Sequence, residues 1–306
     1  LKVGEQKIAF IGKFAEKPRF QGGGSSHINS FKVESALDAV KAYTEVAYAQ
    51  GYDVKEDKID EAMVKEAVET AKNADVAVIF AGLPDAFESE GYDREHMGMP
   101  DCQNYLIQEI LKVQKNVVVV LHNGSPVEMP WADDVSAILE AYLCGQAVGA
   151  AEADILFGKV NPSGKLAETI PYHLEDNPSY LNFPGDGQKV EYKEGVFVGY
   201  RYYDRKKMPV RYPFGYGLSY TTFEYSDLQL SKEKIKDTET LQVSVKVKNT
   251  GKMAGKEVVQ LYVSDKTNAV MRPVNELKNF VKVELQPQEE KTVTMELNKR
   301  SFAWYN

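Results

Sequence analysis

The chain has 306 residues, of which 43% are hydrophobic and 27% are charged, as in a globular protein with room for about two domains. Its formal net charge of −8 argues against a nucleic-acid partner, because neutralising phosphates requires a clustered basic surface. No apolar run approaches the ~20 residues needed to cross a bilayer, which argues against a membrane segment.

The two cysteines, Cys102 and Cys144, are too few for a disulfide framework or a zinc site. They fit two buried thiols in a reducing compartment. The amino-terminal residues Leu1–Glu5 lack the apolar core of a signal peptide. We therefore expect a cytoplasmic location.

Strands and helices alternate over the first two-thirds of the chain. Apolar runs predict strands at residues 7–11, 75–81, 116–121 and 136–140, with a short strand at 50–54. Helical patterns occupy residues 35–43, 60–73, 101–114 and 145–157. In the second of these helices, one face is predicted to consist of Ile59, Met63, Ala67 and Ala71. The alternation predicts a mostly parallel sheet sandwiched by helices.

The sequence pattern changes after residue 183. Residues 184–223 are rich in glycine, proline and tyrosine and are interpreted as an ordered connector, since tyrosine rings tend to pack. Period-two alternation then predicts strands at 241–248, 258–263, 280–283 and 292–297. This pattern is typical of a fibronectin type III-like β-sandwich. The predicted domains are an α/β domain at 1–183, the connector at 184–223 and the β-sandwich at 224–306.

Two loops that follow predicted parallel strands carry the residues suited to chemistry. Residues 87–94 place three carboxylates and an arginine after the strand at 75–81, and residues 19–26 place three glycines after the strand at 7–11. Ligands of parallel sheets bind at the carboxyl ends of the strands. An acidic turn is also typical of a solvated surface and a glycine triplet of a linker, so the loops alone leave both interpretations open.

The two loops belong to a series of six short motifs that follow one another along the chain. They are Phe20–Ser26, Glu88–Arg94, His122–Trp131, Leu156–Leu166, Gly199–Tyr203 and Pro213–Phe223. In this order they resemble the carboxyl-terminal part of a family 3 glycoside hydrolase, the group of β-glucosidases and related exo-acting enzymes. The last ~80 residues resemble the β-domain that follows in that family.

The resemblance implies an active site shared between two domains. In the family an amino-terminal barrel supplies a nucleophilic aspartate, and the α/β domain supplies the acid/base glutamate. A (β/α)8 barrel needs about 250 residues, so we expect that the barrel is missing, that it is a partner and that the isolated chain is inactive. The implied substrate is a β-glucoside or oligosaccharide with a terminal non-reducing β-D-glucosyl residue. Retaining hydrolysis by two carboxylates implies no cofactor and no metal.

The resemblance also implies roles for individual residues. One branch of the family has the acid/base glutamate directly before the glycine, which corresponds to Glu90, the favoured position; another branch has it two residues earlier, at Glu88, which stays open as the alternative. The implied substrate-binding rim consists of Arg19, Phe20, Gln21 and Gly22. Asp93 and Arg94 are expected to form an ion pair that shapes the turn. His122 follows an apolar strand and is expected to be buried rather than catalytic.

The carboxyl-terminal end departs from the family pattern. The family's β-domain continues past Phe302–Asn306 with further strands, so we predict an incomplete sandwich with an exposed edge. Strands from a second copy would complete it, which leaves a homo-oligomer open. Two other function classes also stay open: a non-catalytic carbohydrate-binding or scaffold module, and a nucleotide-binding protein of flavodoxin-like topology. The sequence has no Gly-x-Gly-x-x-Gly or Gly-Lys-Ser/Thr signature to support the latter.

Overall fold

The chain forms two compact units, Leu1–Val160 and Asn161–Asn306, in a computed structural model that describes residues 1–267 and 269–304. The units divide at residue 160, whereas the sequence-based domains divide at 183 and 223. Tyr305 and Asn306, at the end predicted to be incomplete, lie outside the described residues. Within the described residues, no helix has the length and apolar character needed to cross a membrane.

The first unit is built around a five-stranded parallel sheet. Its strands are β1 (Ile8–Ile11), β2 (Ala47–Ala49), β3 (Val76–Gly82), β4 (Val117–His122) and β5 (Ala137–Glu140). They lie in the order β2-β1-β3-β4-β5, and every pairing is parallel. β3 is buried over its whole length, as expected for a strand whose two faces are both covered. The predicted α/β fold is therefore confirmed.

Four helices of this unit follow the predicted order, and a short first helix was not predicted. The helices are α1 (Lys13–Glu16), α2 (Ala36–Ala39), α3 (Glu61–Lys72), α4 (Asp101–Leu111) and α5 (Val148–Leu156). α3 begins after Asp60, whose carboxylate accepts hydrogen bonds from the first turn. Its buried residues are Val64, Ala67 and Ala71. The predicted face was wrong at Ile59, which precedes the helix and is 38% exposed, and at Met63, which is half-buried.

The start of α4 is capped by a residue distant in sequence. The carboxylate of Asp57 accepts hydrogen bonds from the backbone N–H groups of Asp101, at 2.9 Å, and Cys102, at 2.8 Å. These N–H groups have no acceptor within the helix, so Asp57 satisfies donors that would otherwise lack a partner. Cys102 is buried as predicted, but Cys144 is exposed, so the prediction of two buried thiols is wrong for Cys144.

The short strand predicted at residues 50–54 is wrong in position. The strand is β2, at 47–49, and the chain turns at Gly51, which has a φ of 72°. Tyr52 is buried because its side chain packs into the unit, where its hydroxyl donates to the carbonyl of Phe80 at 2.8 Å. The apolar character of residues 50–54 that suggested a strand therefore comes from the packing of the Tyr52 side chain and not from pairing in the sheet.

The order of the strands positions the candidate loops. After β1 the chain continues to β2 on one side, and after β3 it continues to β4 and β5 on the other side. The order thus reverses between β1 and β3, which are adjacent. Loops that leave the carboxyl ends of two such strands diverge and create the crevice where α/β proteins bind ligands.

The second unit contains two antiparallel sheets. Its strands are β6 (Phe223–Leu230), β7 (Leu241–Asn249), β8 (Gly255–Val263), β9 (Glu276–Leu285) and β10 (Glu290–Leu297). One sheet has the order β10-β7-β6, and the other pairs β8 with β9. Side chains of both sheets form one core, which consists of Val245, Val247, Val259, Leu285, Val293 and Met295. The predicted β-sandwich is confirmed, although β6 was not predicted.

The predicted connector contains a helix that the sequence analysis missed. α6 (Tyr200–Lys206) lies within it, and a last short helix, α7 (Lys299–Phe302), follows β10. Several tyrosines of the connector are packed: the ring of Tyr200 stacks on Phe214 with centroids 4.8 Å apart, and Tyr212 stacks on Tyr216 at 5.3 Å, whereas Tyr192 is 83% exposed. The expectation of an ordered connector agrees with this packing.

Candidate active site

Three loops meet at the carboxyl-terminal edge of the parallel sheet. The glycine loop (residues 20–28) follows β1 and α1, the carboxylate loop (residues 83–94) follows β3, and the β4 turn (residues 123–126) follows β4. Hydrogen bonds join the carboxylate loop to both of the others. The two motifs that the sequence placed after separate strands are therefore in direct contact.

The side chain of Arg19, the residue directly before the glycine loop, binds the carboxylate loop through several hydrogen bonds. It is only 6% exposed. Its Nη1 donates to the carbonyl of Leu83 at 2.8 Å and to Oε2 of Glu88 at 2.5 Å, and its Nη2 donates to the carbonyl of Glu88 at 2.7 Å. Its Nε donates to Oδ1 of Asp85 at 3.1 Å. Arg19 thus belongs to the interior, which does not fit the sugar-contacting rim expected from the sequence.

The carboxylate of Glu88 accepts hydrogen bonds from three residues of the same unit. Besides Arg19, its carboxylate accepts hydrogen bonds from the N–H of Gly124 at 2.7 Å and from the hydroxyl of Ser125. A Cβ on Gly124 would lie 2.9 Å from Oε2, so this close approach depends on glycine. Burial acts to raise the pKa of Glu88, but the hydrogen bonds from Ser125, Arg19 and Gly124 outweigh it and hold the pKa below its ordinary value. An ionised, fully engaged carboxylate suits a structural role.

Glu90 lies in a different environment, two residues further on. Its side chain is exposed, and its Oε2 accepts a hydrogen bond from the N–H of Ser25 at 2.5 Å. Hydrogen bonding from Ser25 lowers the pKa of Glu90. The hydroxyl of Ser25 and its amide both contribute to this lowering, and Oε2 is the oxygen that accepts from the amide. Glu90 therefore has an oxygen that a ligand can reach.

The glycine loop is closed by Gln21. Its Oε1 accepts from the N–H of Ile28 at 2.9 Å, and its Nε2 donates to the carbonyl of the same residue at 3.1 Å. Gly22 and Phe20 are half-buried, and the carbonyl of Phe20 accepts from the N–H of Gly145 at 2.9 Å. The observed contacts of these three predicted rim residues are with their own chain, and contact with a sugar stays a prediction.

Arg94 shapes the carboxylate loop through the β4 turn. Its Nη1 donates to the hydroxyl of Ser125 at 2.8 Å and to the carbonyl of Pro126 at 3.1 Å. Within residues 1–267 and 269–304, no ion pair joins Arg94 to Asp93, which corrects the expected pairing. Ser125 therefore contacts both Glu88 and Arg94 and ties two points of the carboxylate loop to β4.

A buried ionisable pair lies behind Arg19. His122 is fully buried, as the sequence predicts. Its Nε2 lies 3.0 Å from Oε1 of Glu152, which is 2% exposed, and its Nδ1 lies 3.3 Å from the carbonyl oxygen of Arg19. No group of three or more histidine, cysteine, aspartate or glutamate side chains among the described residues is arranged to hold a metal ion.

Comparison with known families agrees with this geometry. Residues 1–220 match the Glycosyl hydrolase family 3 C-terminal domain, and residues 257–306 match the Fibronectin type III-like domain. The chain belongs to glycoside hydrolase family 3. The resemblance seen in the sequence motifs is thus confirmed.

Relatives in this family are much longer than the chain. The sequence is 58% identical over 303 residues to the thermostable beta-glucosidase B of Acetivibrio thermocellus, covering 98% of this chain and 40% of that protein. It is 48% identical over 303 residues to an exo-alpha-(1->6)-L-arabinopyranosidase of Bifidobacterium breve, with the same coverage of 98% and 40%. The crystal structure of a Bifidobacterium adolescentis GH3 beta-glucosidase superposes with a TM-score of 0.93 at 48% identity, covering 98% of this chain and 44% of that one. The chain spans about 40% of the length of the curated relatives it matches.

Some residues around Glu90 were not assigned roles from the sequence. Gly124 and Ser125 lie in the His122–Trp131 motif, which marked the segment but not its contact with Glu88. Ser25 lies in the Phe20–Ser26 motif, which did not indicate its contact with Glu90. Glu152 carried no sequence signal, because one acidic residue on a helix is ordinarily solvated.

Proposed function

We propose that this chain supplies the acid/base glutamate, Glu90, to the active site of a retaining β-glucosidase. The nucleophile would come from a barrel domain of the same enzyme, so the isolated chain would not hydrolyse a glycoside. The substrate would carry a terminal non-reducing β-D-glucosyl residue. The names of the relatives, a beta-glucosidase and an arabinopyranosidase, support a glycosidase.

The contrast between Glu88 and Glu90 carries the proposal. A general acid must come within hydrogen-bond reach, about 3 Å, of the atom that it protonates. The carboxylate of Glu88 is occupied by Arg19, Gly124 and Ser125. Glu90 is exposed at the switch point of the sheet, and among the described residues only Ser25 is seen to hydrogen-bond its carboxylate. This difference favours Glu90 over Glu88 as the acid/base residue.

The proposed chemistry uses both protonation states of Glu90. In the first step the protonated carboxyl gives its proton to the leaving-group oxygen while the nucleophile attacks the anomeric carbon and the glycosidic bond breaks. In the second step the Glu90 carboxylate takes a proton from water, which attacks the same carbon and releases the nucleophile.

The acid form of Glu90 requires a raised pKa, whereas hydrogen bonding from Ser25 lowers the pKa in this chain. An ionised nucleophile about 5 to 5.5 Å away would supply the like charge that raises it. The acid would therefore be ready only in the complete site.

A hybrid enzyme tests the proposal. This chain would replace the matching segment of the Acetivibrio thermocellus relative, with which it shares 58% identity. Hydrolysis of cellobiose and of 2,4-dinitrophenyl β-glucoside would be measured for the hybrid and for its Glu90→Gln and Glu88→Gln variants. The dinitrophenolate leaves without a proton, whereas the sugar of cellobiose needs one.

We expect Glu90→Gln to reduce kcat/KM for cellobiose by about 10²- to 10⁴-fold, the usual contribution of a general acid, and to reduce kcat/KM for the dinitrophenyl glucoside much less. With the dinitrophenyl glucoside the second step should limit kcat in Glu90→Gln, and added azide should restore this turnover and give glucosyl azide, because azide needs no general base. Glu88→Gln is the matched control and should affect both substrates alike. A folded hybrid that is inactive on both substrates, or one in which Glu88→Gln alone shows the leaving-group dependence, would contradict the proposal.

A further inference from the structure

The glycine loop touches the carboxylate loop at distances that only glycine permits. A Cβ on Gly24 would lie 2.4 Å from the Cβ of Glu90, and a Cβ on Gly23 would lie 2.5 Å from the hydroxyl oxygen of Ser89. Gly24 also has a φ of 79°, a conformation that favours glycine. The glycine triplet thus lets the backbone at Ser25 approach the side chain of Glu90.

The loop holds the Ser25 amide in a fixed orientation. Ser25 lies in a 3-10 turn at Gly24–Ser26, in which the N–H of His27 donates to the carbonyl of Gly24 at 3.1 Å. The hydroxyl of Ser26 donates to the carbonyl of Gly23 at 3.2 Å. The N–H of Ser25 points out of this turn and donates to Oε2 of Glu90.

We propose that the backbone amide of Ser25 is a positioning group that holds Glu90 by one oxygen and leaves the other oxygen to exchange the proton. The inference rests on the proposed acid/base role of Glu90. A carboxyl oxygen can accept from an amide in both the protonated and the ionised form, so one contact can orient the side chain in both steps. Because an N–H donor favours the ionised form, the contact also opposes protonation of Glu90.

The chain alone provides a direct test by NMR. The Ser25 amide proton and the Glu90 side-chain carboxyl carbon would be followed against pH in the complete chain and in Glu90→Gln. If the amide holds Glu90, the Ser25 amide proton shifts downfield with the same midpoint as the Glu90 carboxyl, and this titration is absent in Glu90→Gln. A Ser25 amide proton that does not respond to ionisation of Glu90 would overturn the inference.

Two substitutions separate the amide from the hydroxyl of Ser25. Ser25→Pro removes the N–H, and Ser25→Ala is the matched control that retains it. The pKa of Glu90 should be higher in Ser25→Pro than in Ser25→Ala. If Ser25→Pro does not fold, Gly24→Ala serves instead, because its methyl group would displace the Glu90 side chain while the N–H remains. Equal pKa values of Glu90 in the proline and alanine variants would overturn the inference.

The hybrid enzyme adds a catalytic readout that a merely structural role would not move. Ser25→Pro should lower kcat/KM for cellobiose by about tenfold to a hundredfold through misplacement of Glu90. The alkaline limb of its pH profile should move to higher pH relative to Ser25→Ala, because a carboxyl with a raised pKa stays protonated longer. The two proposals fail separately: a Glu90→Gln hybrid that hydrolyses cellobiose as fast as the unsubstituted hybrid would reject the acid/base role, whereas the NMR titration tests the amide contact without any activity.

Discussion

Arg19 and Glu88 form an ion pair across the point where the strand order of the parallel sheet reverses. Nη1 of Arg19 lies 2.5 Å from Oε2 of Glu88, and Nη2 lies 2.7 Å from the backbone carbonyl oxygen of the same residue. One guanidinium thus binds both the side chain and the main chain of Glu88. α/β proteins commonly bind a ligand at this point, between β1 and β3. Here the Arg19–Glu88 pair links the two loops that leave these strands, and the side chain of Glu90 is exposed beside it.

Removal of Arg19 should destabilise the first unit. In Arg19→Ala the carboxylate of Glu88 loses its charged partner, and we expect a loss of about 3 kcal/mol in the free energy of unfolding. Arg19→Lys keeps the charge but not the planar fork, so its loss should be smaller. Urea unfolding followed by Trp131 fluorescence in a Trp304→Phe background measures this. Lys13→Ala is the control, because its pair with Glu16 is exposed and should contribute about 0 to 1 kcal/mol. Equal losses for Arg19→Ala and Lys13→Ala would refute the anchoring role.

Stability should depend on pH through Glu88. The pKa of Glu88 is lower in the folded chain than its ordinary value of 4.5, because hydrogen bonds from Ser125 and Arg19 outweigh the effect of burial. A depressed folded-state pKa means that stability is fully present above the ordinary pKa and is lost as pH falls through the folded-state value. The difference in unfolding free energy between wild type and Glu88→Gln should therefore be constant from pH 7 to about 5.5 and shrink below about pH 4.5. Parallel pH profiles for the two proteins would contradict this.

The strands that the sequence predicts best are those with both faces buried. β3 and β4 are nearly continuous apolar runs rich in valine, and no alternation has to be recognised in them. β6 was missed because its register shifts between Ser226 and Gln229, where Asp227 has a φ of 53° and the alternation is interrupted. α6 was missed because its seven residues are tyrosines, arginines, one lysine and one aspartate, which give no apolar period.

For the candidate site, too, the sequence predicts some features and misses others. The sequence brings the glycine loop and the carboxylate loop to one edge of the sheet, because each follows a parallel strand. It does not pair Arg19 with Glu88, which lie 69 residues apart, and it places Arg19 at a surface rim instead. Burial of an arginine depends on partners from distant loops, and local pattern contains no information about them. The family motif favours Glu90 over Glu88 from the sequence, but the contacts of Gly124 and Ser125 that distinguish the two carboxylates physically are visible only in the structure.

Asp57 should stabilise α4 from outside the helix. Its carboxylate accepts hydrogen bonds from two N–H groups of the first turn, so Asp57→Ala should lower the unfolding free energy by about 1 kcal/mol. Asp57→Asn keeps an acceptor oxygen and should lose less than Asp57→Ala. It should still lose some stability, because a negative charge at a helix amino terminus adds its own stabilisation. Urea unfolding of the three proteins decides this. An alanine variant as stable as wild type would mean that water replaces the carboxylate at no cost.

The pair of His122 and Glu152 should behave as a coupled unit in a double-mutant cycle. Both side chains are almost fully buried, with Nε2 and Oε1 3.0 Å apart. Glu152→Leu leaves the imidazole without its partner, and His122→Phe leaves a buried carboxylate, so each substitution should cost about 3 to 5 kcal/mol of unfolding free energy. The double variant removes both ionisable groups, and phenylalanine should pack against Phe14, whose ring centroid is 5.5 Å from that of His122.

We therefore expect the double variant to lose clearly less stability than the sum of the two single losses, measured by urea unfolding at pH 7. Losses that simply add would show that the two groups are satisfied independently. Because Nδ1 of His122 faces the carbonyl oxygen of Arg19, hydrogen exchange at the backbone amides of residues 83–90 provides a second readout. If exchange at these amides is faster in Glu152→Leu and returns to the wild-type rate in the double variant, His122 without its partner loosens the carboxylate loop. If exchange is unchanged, the pair contributes only to overall stability.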